Sequence, residues 1–121
     1  MSDAPQVDET VGEVTLDGPV RSLPIRRTNE RFEVRLDDEA AVLEYRLRGT
    51  VLSVTHTEVP EALRGQGIGE ALARVALDDA RARGMTVKPY CPFVARYIES
   101  HPEYCDLVDP GFPIGVRAEG S

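Results

Sequence analysis

No apolar run in this 121-residue chain is long enough to cross a membrane, which excludes a helix-spanning membrane protein. Cysteine is scarce: Cys91 and Cys105 are too few for a disulfide framework, and their spacing matches no zinc pattern. Positive charge is also scarce. The chain holds 14 Lys and Arg against 21 Asp and Glu, a net charge of −7. No basic patch interleaves with aromatics, so nucleic-acid binding is not expected. The opening Met-Ser-Asp-Ala-Pro lacks the basic and apolar segments of a signal peptide, so a cytoplasmic location with reduced thiols is expected.

What charge there is falls unevenly. Asp3, Asp8, Glu9, Glu13 and Asp17 lie in residues 1–20, which contain no Lys or Arg. Few large apolar residues accompany them, so residues 1–20 read as a mobile acidic extension. Residues 21–121 are then a single domain, large enough for one core and too small for two.

Local patterning predicts a mixed α+β fold. Arg31-Phe-Glu-Val-Arg-Leu36 alternates apolar and charged residues as a half-buried strand does. Further strands are expected over residues 41–47 and 50–59, with turns at Asp37-Asp38 and Arg48-Gly49, giving an antiparallel meander. Residues 11–16 offer a weaker edge strand. Ile68, Ala71, Leu72, Val75 and Ala76 recur at helical spacing, and Gly84 suits the C-cap. On the opposite side Glu70, Arg74, Asp78 and Arg81 are spaced to pair along the helix. Residues 85–91 read as a strand returning parallel to the one before the helix, a right-handed βαβ unit. Pro92 suits the first position of a second helix, which ends at His101-Pro102.

The densest signal is Arg64-Gly-Gln-Gly67-Ile-Gly69, set between a strand that stops at Pro60 and the first helix. Such a junction presents unpaired N–H groups and a positive helix dipole to an anion. The third glycine falls one position early for a dinucleotide fingerprint, and no Gly-Lys-Ser/Thr closes a P-loop. The spacing Arg-x-x-Gly-x-Gly resembles the pyrophosphate loop of the GNAT superfamily of acyl-CoA-dependent N-acetyltransferases. Residues 56–108 also resemble its small, stand-alone N-acetyltransferase-domain-containing branch. His56-Thr-Glu-Val-Pro60, Pro89-Tyr-Cys-Pro-Phe-Val94 and His101-Pro-Glu-Tyr104 carry that likeness in order.

The resemblance implies a GNAT-like fold in which the strands flanking the first helix splay apart. It implies acetyl-CoA (coenzyme A) as cofactor and an amine as acceptor. Arg64, Gly65, Gln66, Gly67, Ile68 and Gly69 would hold the pyrophosphate, with the backbones of Thr57, Glu58 and Val59 along the pantetheine arm. Independently, Pro60 ends strand pairing and leaves an open edge beside the loop.

Four residues are catalytic candidates. Tyr97 matches the superfamily's thiolate-protonating tyrosine, although His101-Pro102 replaces the usual Gly-Phe, and a core tyrosine is the alternative. Cys91 precedes a helix N-terminus, which favours a reactive thiolate; a small buried hydrophobe is the alternative. Glu58 is the candidate base and His56 its alternative, both on one strand face. His101 reads as a helix-end residue.

Residues 17–30 are too short and proline-broken for the two helices that usually wall the acceptor site. An open acceptor side is therefore expected, suited to a protein or peptide or to a loosely held small amine. Two functions remain: an acetyl-CoA-dependent N-acetyltransferase, or a non-catalytic or redox-responsive CoA-binding module using Cys91.

Overall fold

Alternating apolar and charged residues build most of a six-stranded sheet, seen in a computed structural model that describes residues 9–16 and 21–112. The strands are β1 (Glu9–Leu16), β2 (Arg21–Arg27), β3 (Arg31–Leu36), β4 (Glu39–Arg48), β5 (Val51–Glu58) and β6 (Thr86–Pro89). They lie side by side in chain order. Every neighbouring pair is antiparallel except β5 and β6, which run parallel and are joined by helix α1 (Ile68–Ala82). Helix α2 (Pro92–Ser100) follows, with 3-10 turns at Glu61–Leu63 and Pro102–Leu107. The expected meander, βαβ unit and second helix are all present.

One face of the sheet supplies Phe32, Val34, Ala41, Leu43, Val54 and Val87, all fully buried or nearly so. Against it pack Ile68, Leu72 and Leu77 of α1 and Val94 and Ile98 of α2, in a single core. Burying each such side chain contributes roughly 1.5–3 kcal/mol. The opposite face carries the charged half of the alternation. Asp37 takes a left-handed φ of 57° in the β3–β4 turn, which aspartate tolerates better than most residues.

Within residues 1–20, read as a mobile extension, the structure corrects residues 9–16. Glu9–Leu16 is a full edge strand, paired with β2 along its length. Val14 is buried, and Gly12 passes so near α1 that an added Cβ would lie 2.8 Å from Val75 Cγ2. Arg27 fixes this edge: Nη1 donates to both Asp79 oxygens at 2.8 and 2.7 Å, and Nη2 to Glu9 Oε2 at 2.7 Å. The sheet therefore begins before residue 21. Residues 1–8 and 17–20 lie outside the described residues. Between β1 and β3, where two helices were judged impossible, the chain forms strand β2.

Pairing on the polar side of α1 also differs from expectation. Arg81 reaches Asp106 at 2.9 Å, and Asp78 accepts from the Tyr104 hydroxyl at 2.8 Å. These contacts hold the Pro102–Leu107 turn against α1, while Arg83 pairs along the helix with Asp79 at 3.2 Å.

Candidate functional site

The site is built where β5 and β6 part. Their ladder runs from Val51–Thr86 to Val54–Pro89, and the Cys91 N–H donates to Val54 O at 3.0 Å just beyond it. β5 continues to Glu58, paired only with β4. This is the splayed pair that the resemblance implied. It leaves one backbone edge of β5 open for hydrogen bonding.

A β-bulge decides which side chains face where. Glu44 opposes His56 and Tyr45 opposes Val54, so Thr55 is an extra residue in β5. Uninterrupted alternation would carry His56 and Glu58 into the core after Leu52 and Val54. The bulge shifts the phase. Thr57 turns inward, and His56 and Glu58 remain exposed, with His56 Nε2 3.3 Å from Glu58 Oε1. They share one face, as their spacing indicated.

Beyond Glu58 the chain makes the Glu61–Leu63 turn and the glycine loop. Gly65 and Gly67 have φ values of 82° and 79°, a left-handed backbone that strains any side-chain-bearing residue. Gly67 is the N-cap of α1 and offers no capping side chain. The helix ladder starts with Ala71 N–H to Gly67 O at 3.0 Å. The N–H groups of Ile68, Gly69 and Glu70 precede it and have no acceptor within the helix.

These parts surround one cavity of about 840 Å³, lined by His56, Thr57, Glu58, Val59, the loop and Phe93 of α2. A free strand edge and an open helix N-terminus meet in it. A flexible, amide-bearing chain ending in a diphosphate needs these two elements: backbone groups for its amides, and N–H donors at a positive helix end for its phosphates. An added Cβ at Gly65 or Gly67 would meet no other atom, so the backbone there is open to an approaching ligand. The residues present fit acetyl-CoA.

The structure places the candidates differently from one another. Thr57, Glu58, Val59, Arg64, Gly65, Gly67, Ile68 and Gly69 all line this cavity, as does His56. The Arg64 side chain also turns back, Nε donating to Val59 O at 3.0 Å, so it fixes the loop onto the end of β5. Gln66 lines a separate groove on the far side of the loop. Gly69 admits a neighbour as well as a ligand: an added Cβ would lie 3.0 Å from the Phe93 ring.

Cys91 is the N-cap of α2 and only 4% exposed. Its thiol donates to Thr57 Oγ1 at 3.3 Å, so it sits behind the cavity wall, not on its surface. Tyr97 lines the groove between α1 and α2 with Gln66, Glu70, Arg74 and His101. Its ring stacks on His101 at 4.0 Å, and burial raises the phenol pKa, with the nearby Arg74 charge opposing. His101 Nδ1 lies 2.9 Å from Tyr97 O at the end of α2, in the helix-end role read from sequence.

Phe93, Leu63 and Glu70 also line the cavity and were not singled out from sequence. Phe93 shares a helical face with core residues, so its pattern gave no sign of a ligand-facing ring. Among the described residues no cluster of His, Cys, Asp and Glu is arranged to hold a metal ion. No described helix is long and apolar enough to cross a membrane.

Comparison with known proteins agrees with this geometry. Residues 31–107 match the family model described as GCN5-related N-acetyl-transferase. The mouse (Mus musculus) protein NATD1 is 34% identical over 98 residues, spanning 77% of this chain and 88% of that protein. Human (Homo sapiens) NATD1 is 33% identical over 106 residues, spanning 80% and 94%. The solution structure of a GCN5-like N-acetyltransferase from Staphylococcus aureus superimposes with a TM-score of 0.61 at 24% identity. It covers 79% of this chain and 92% of the other, a likeness of fold.

Proposed function

The chain belongs to the GCN5-related N-acetyl-transferase family, and we propose that it transfers the acetyl group of acetyl-CoA to an amine. Acyl transfer is the general chemistry of that family. The observation that carries the finer reading is the single cavity in which the free edge of β5 meets the open N-terminus of α1.

Acetyl-CoA supplies an acetyl group activated as a thioester. In this reading the N–H groups of Ile68, Gly69 and Glu70 bind its diphosphate, and backbone groups of Thr57, Glu58 and Val59 orient the pantetheine arm. Glu58, with His56 beside it, takes the proton that the amine nitrogen gives up as it bonds to the carbonyl carbon. The C–S bond breaks, and the sulfur keeps the electron pair and gains a proton from solvent. Thr57 and the buried Cys91 brace the wall. The acceptor is an amine-bearing peptide or protein, because residues 21–27 form a strand in place of the helices that would wall the acceptor side. A cytoplasmic location belongs to the same proposal.

The test is acetyl-CoA turnover against a panel of amines, peptides included, followed by free thiol release and product mass. Amine-dependent release is the expected result. Tight acetyl-CoA binding with no turnover on any amine would instead favour a CoA-binding module.

A further inference from the structure

On the outer face of the sheet, next to the bulge, lies a second groove of about 620 Å³, which includes Arg31, Glu44, Arg46, Arg48 and Thr55 in its lining. We propose that this groove docks an acidic, extended segment of the acceptor polypeptide; the proposal rests on the acetyl-transfer reading and names the kind of substrate it serves.

Charge supports it first. Arg46 and Arg48 are exposed, and neither guanidinium has an ion-pair partner among the described residues. Arg31 shares the single Glu33 carboxylate with Arg35, at 3.2 and 3.3 Å. Glu44, opposite Arg31 in the β3–β4 register, and Glu30 also line the groove, so with Arg31, Arg46 and Arg48 its lining carries a net charge of +1. The row continues: Arg46 opposes Ser53, and Ser53 opposes Lys88 of β6. This cationic strip belongs to a chain whose net charge is −7.

Spacing and position support it next. Arg46 and Arg48 are two residues apart on one strand, so they project from the same face roughly 7 Å apart. Carboxylates at alternate positions of an extended segment repeat at the same distance, and guanidinium forks bind them bidentately. Thr55 lines this groove, and the next residue, His56, lines the acetyl-CoA cavity. A segment lying along Arg46 and Arg48 therefore brings its amine to the His56–Glu58 pair.

The experiment measures fluorescence anisotropy of labelled peptides that contain one lysine flanked by alternating Glu, by Ser and Gly, or by Arg. The acidic peptide is expected to bind at least roughly tenfold more tightly than the neutral one. Arg46→Glu with Arg48→Glu should abolish that preference while acetyl-CoA affinity stays unchanged, which also shows that the variant folds. Arg46→Lys should retain part of it. Equal binding of acidic and neutral peptides, or undiminished binding by the double variant, would overturn the proposal. Turnover of the same peptides separates the two readings. An acidic peptide that binds through Arg46 and Arg48 without being acetylated contradicts the transferase and leaves the docking groove standing. Acetylation with no charge preference contradicts the groove alone.

Discussion

The Cys91 thiol and the Thr57 hydroxyl meet at 3.3 Å, joining the start of α2 to β5 just past the last β5–β6 bond. The contact holds shut the inner end of the splay, and it takes the thiol out of the cavity. Cys105 is half-buried, whereas Cys91 is buried. Iodoacetamide should therefore modify Cys105 first in the folded protein, as read by peptide mass. Cys91→Ala should cost about 1 kcal/mol of stability and leave turnover largely intact. Faster alkylation of Cys91, with protection by acetyl-CoA, would restore the reactive-thiol role.

Glu58 and Tyr97 are set apart by position. Glu58 lines the acetyl-CoA cavity, and Tyr97 opens on the groove between the helices. Glu58→Gln should lower kcat by roughly 100-fold, the lower range for a general base, with acetyl-CoA affinity nearly unchanged. Tyr97→Phe should change kcat by less than about threefold, far below a general-acid contribution. Steady-state kinetics on the best amine decides between them, and a larger loss in Tyr97→Phe would return the leaving-group role to that phenol.

Arg27 joins β1, β2 and α1 through Glu9 and Asp79, with its side chain only 9% exposed. Arg27→Ala leaves Asp79 short of its main partner and should destabilise by about 3 kcal/mol. Arg81→Ala breaks an exposed, solvent-screened pair with Asp106 and should lower stability far less. Urea midpoints for the two variants test the contrast, and equal losses would contradict it.

Burial, together with its hydrogen bond to Asp78, pushes the Tyr104 phenol from 10.0 up to about 12. The neutral phenol is thus favoured in the folded chain. Its stabilising contribution is complete below pH 10, the unfolded value, and is lost as pH rises from 10 to about 12. Tyr104→Phe should remove that part of the alkaline loss. Denaturation midpoints taken between pH 8 and 12 should converge for the two proteins; parallel curves would show that the phenol carries no such linkage.

Much of this arrangement was legible in the sequence because it is written in local patterns. The alternation of Arg31–Leu36, the helical spacing from Ile68 to Ala76 and the glycines at 65 and 67 each dictate backbone geometry within a few residues. Strand β1 was weakly legible because its strongest anchors, Arg27 to Asp79 and Gly12 to Val75, span long stretches of chain. The bulge at Thr55 leaves no mark in composition, although it sets which β5 residues face the cavity. For Cys91 and Tyr97, chemical type and helix position were readable from local pattern alone. Whether either side chain reaches the cavity depends on how α2 lies against β5 and α1.

The central claim is that acetyl-CoA sits between the free edge of β5 and the N-terminus of α1. Backbone-amide NMR during titration with acetyl-CoA tests it most directly. The account predicts that the largest shifts fall on Ile68, Gly69 and Glu70 and on His56 through Val59, with little change at Arg46 and Arg48. Saturating acetyl-CoA that leaves the amides of residues 64–70 unmoved would contradict it.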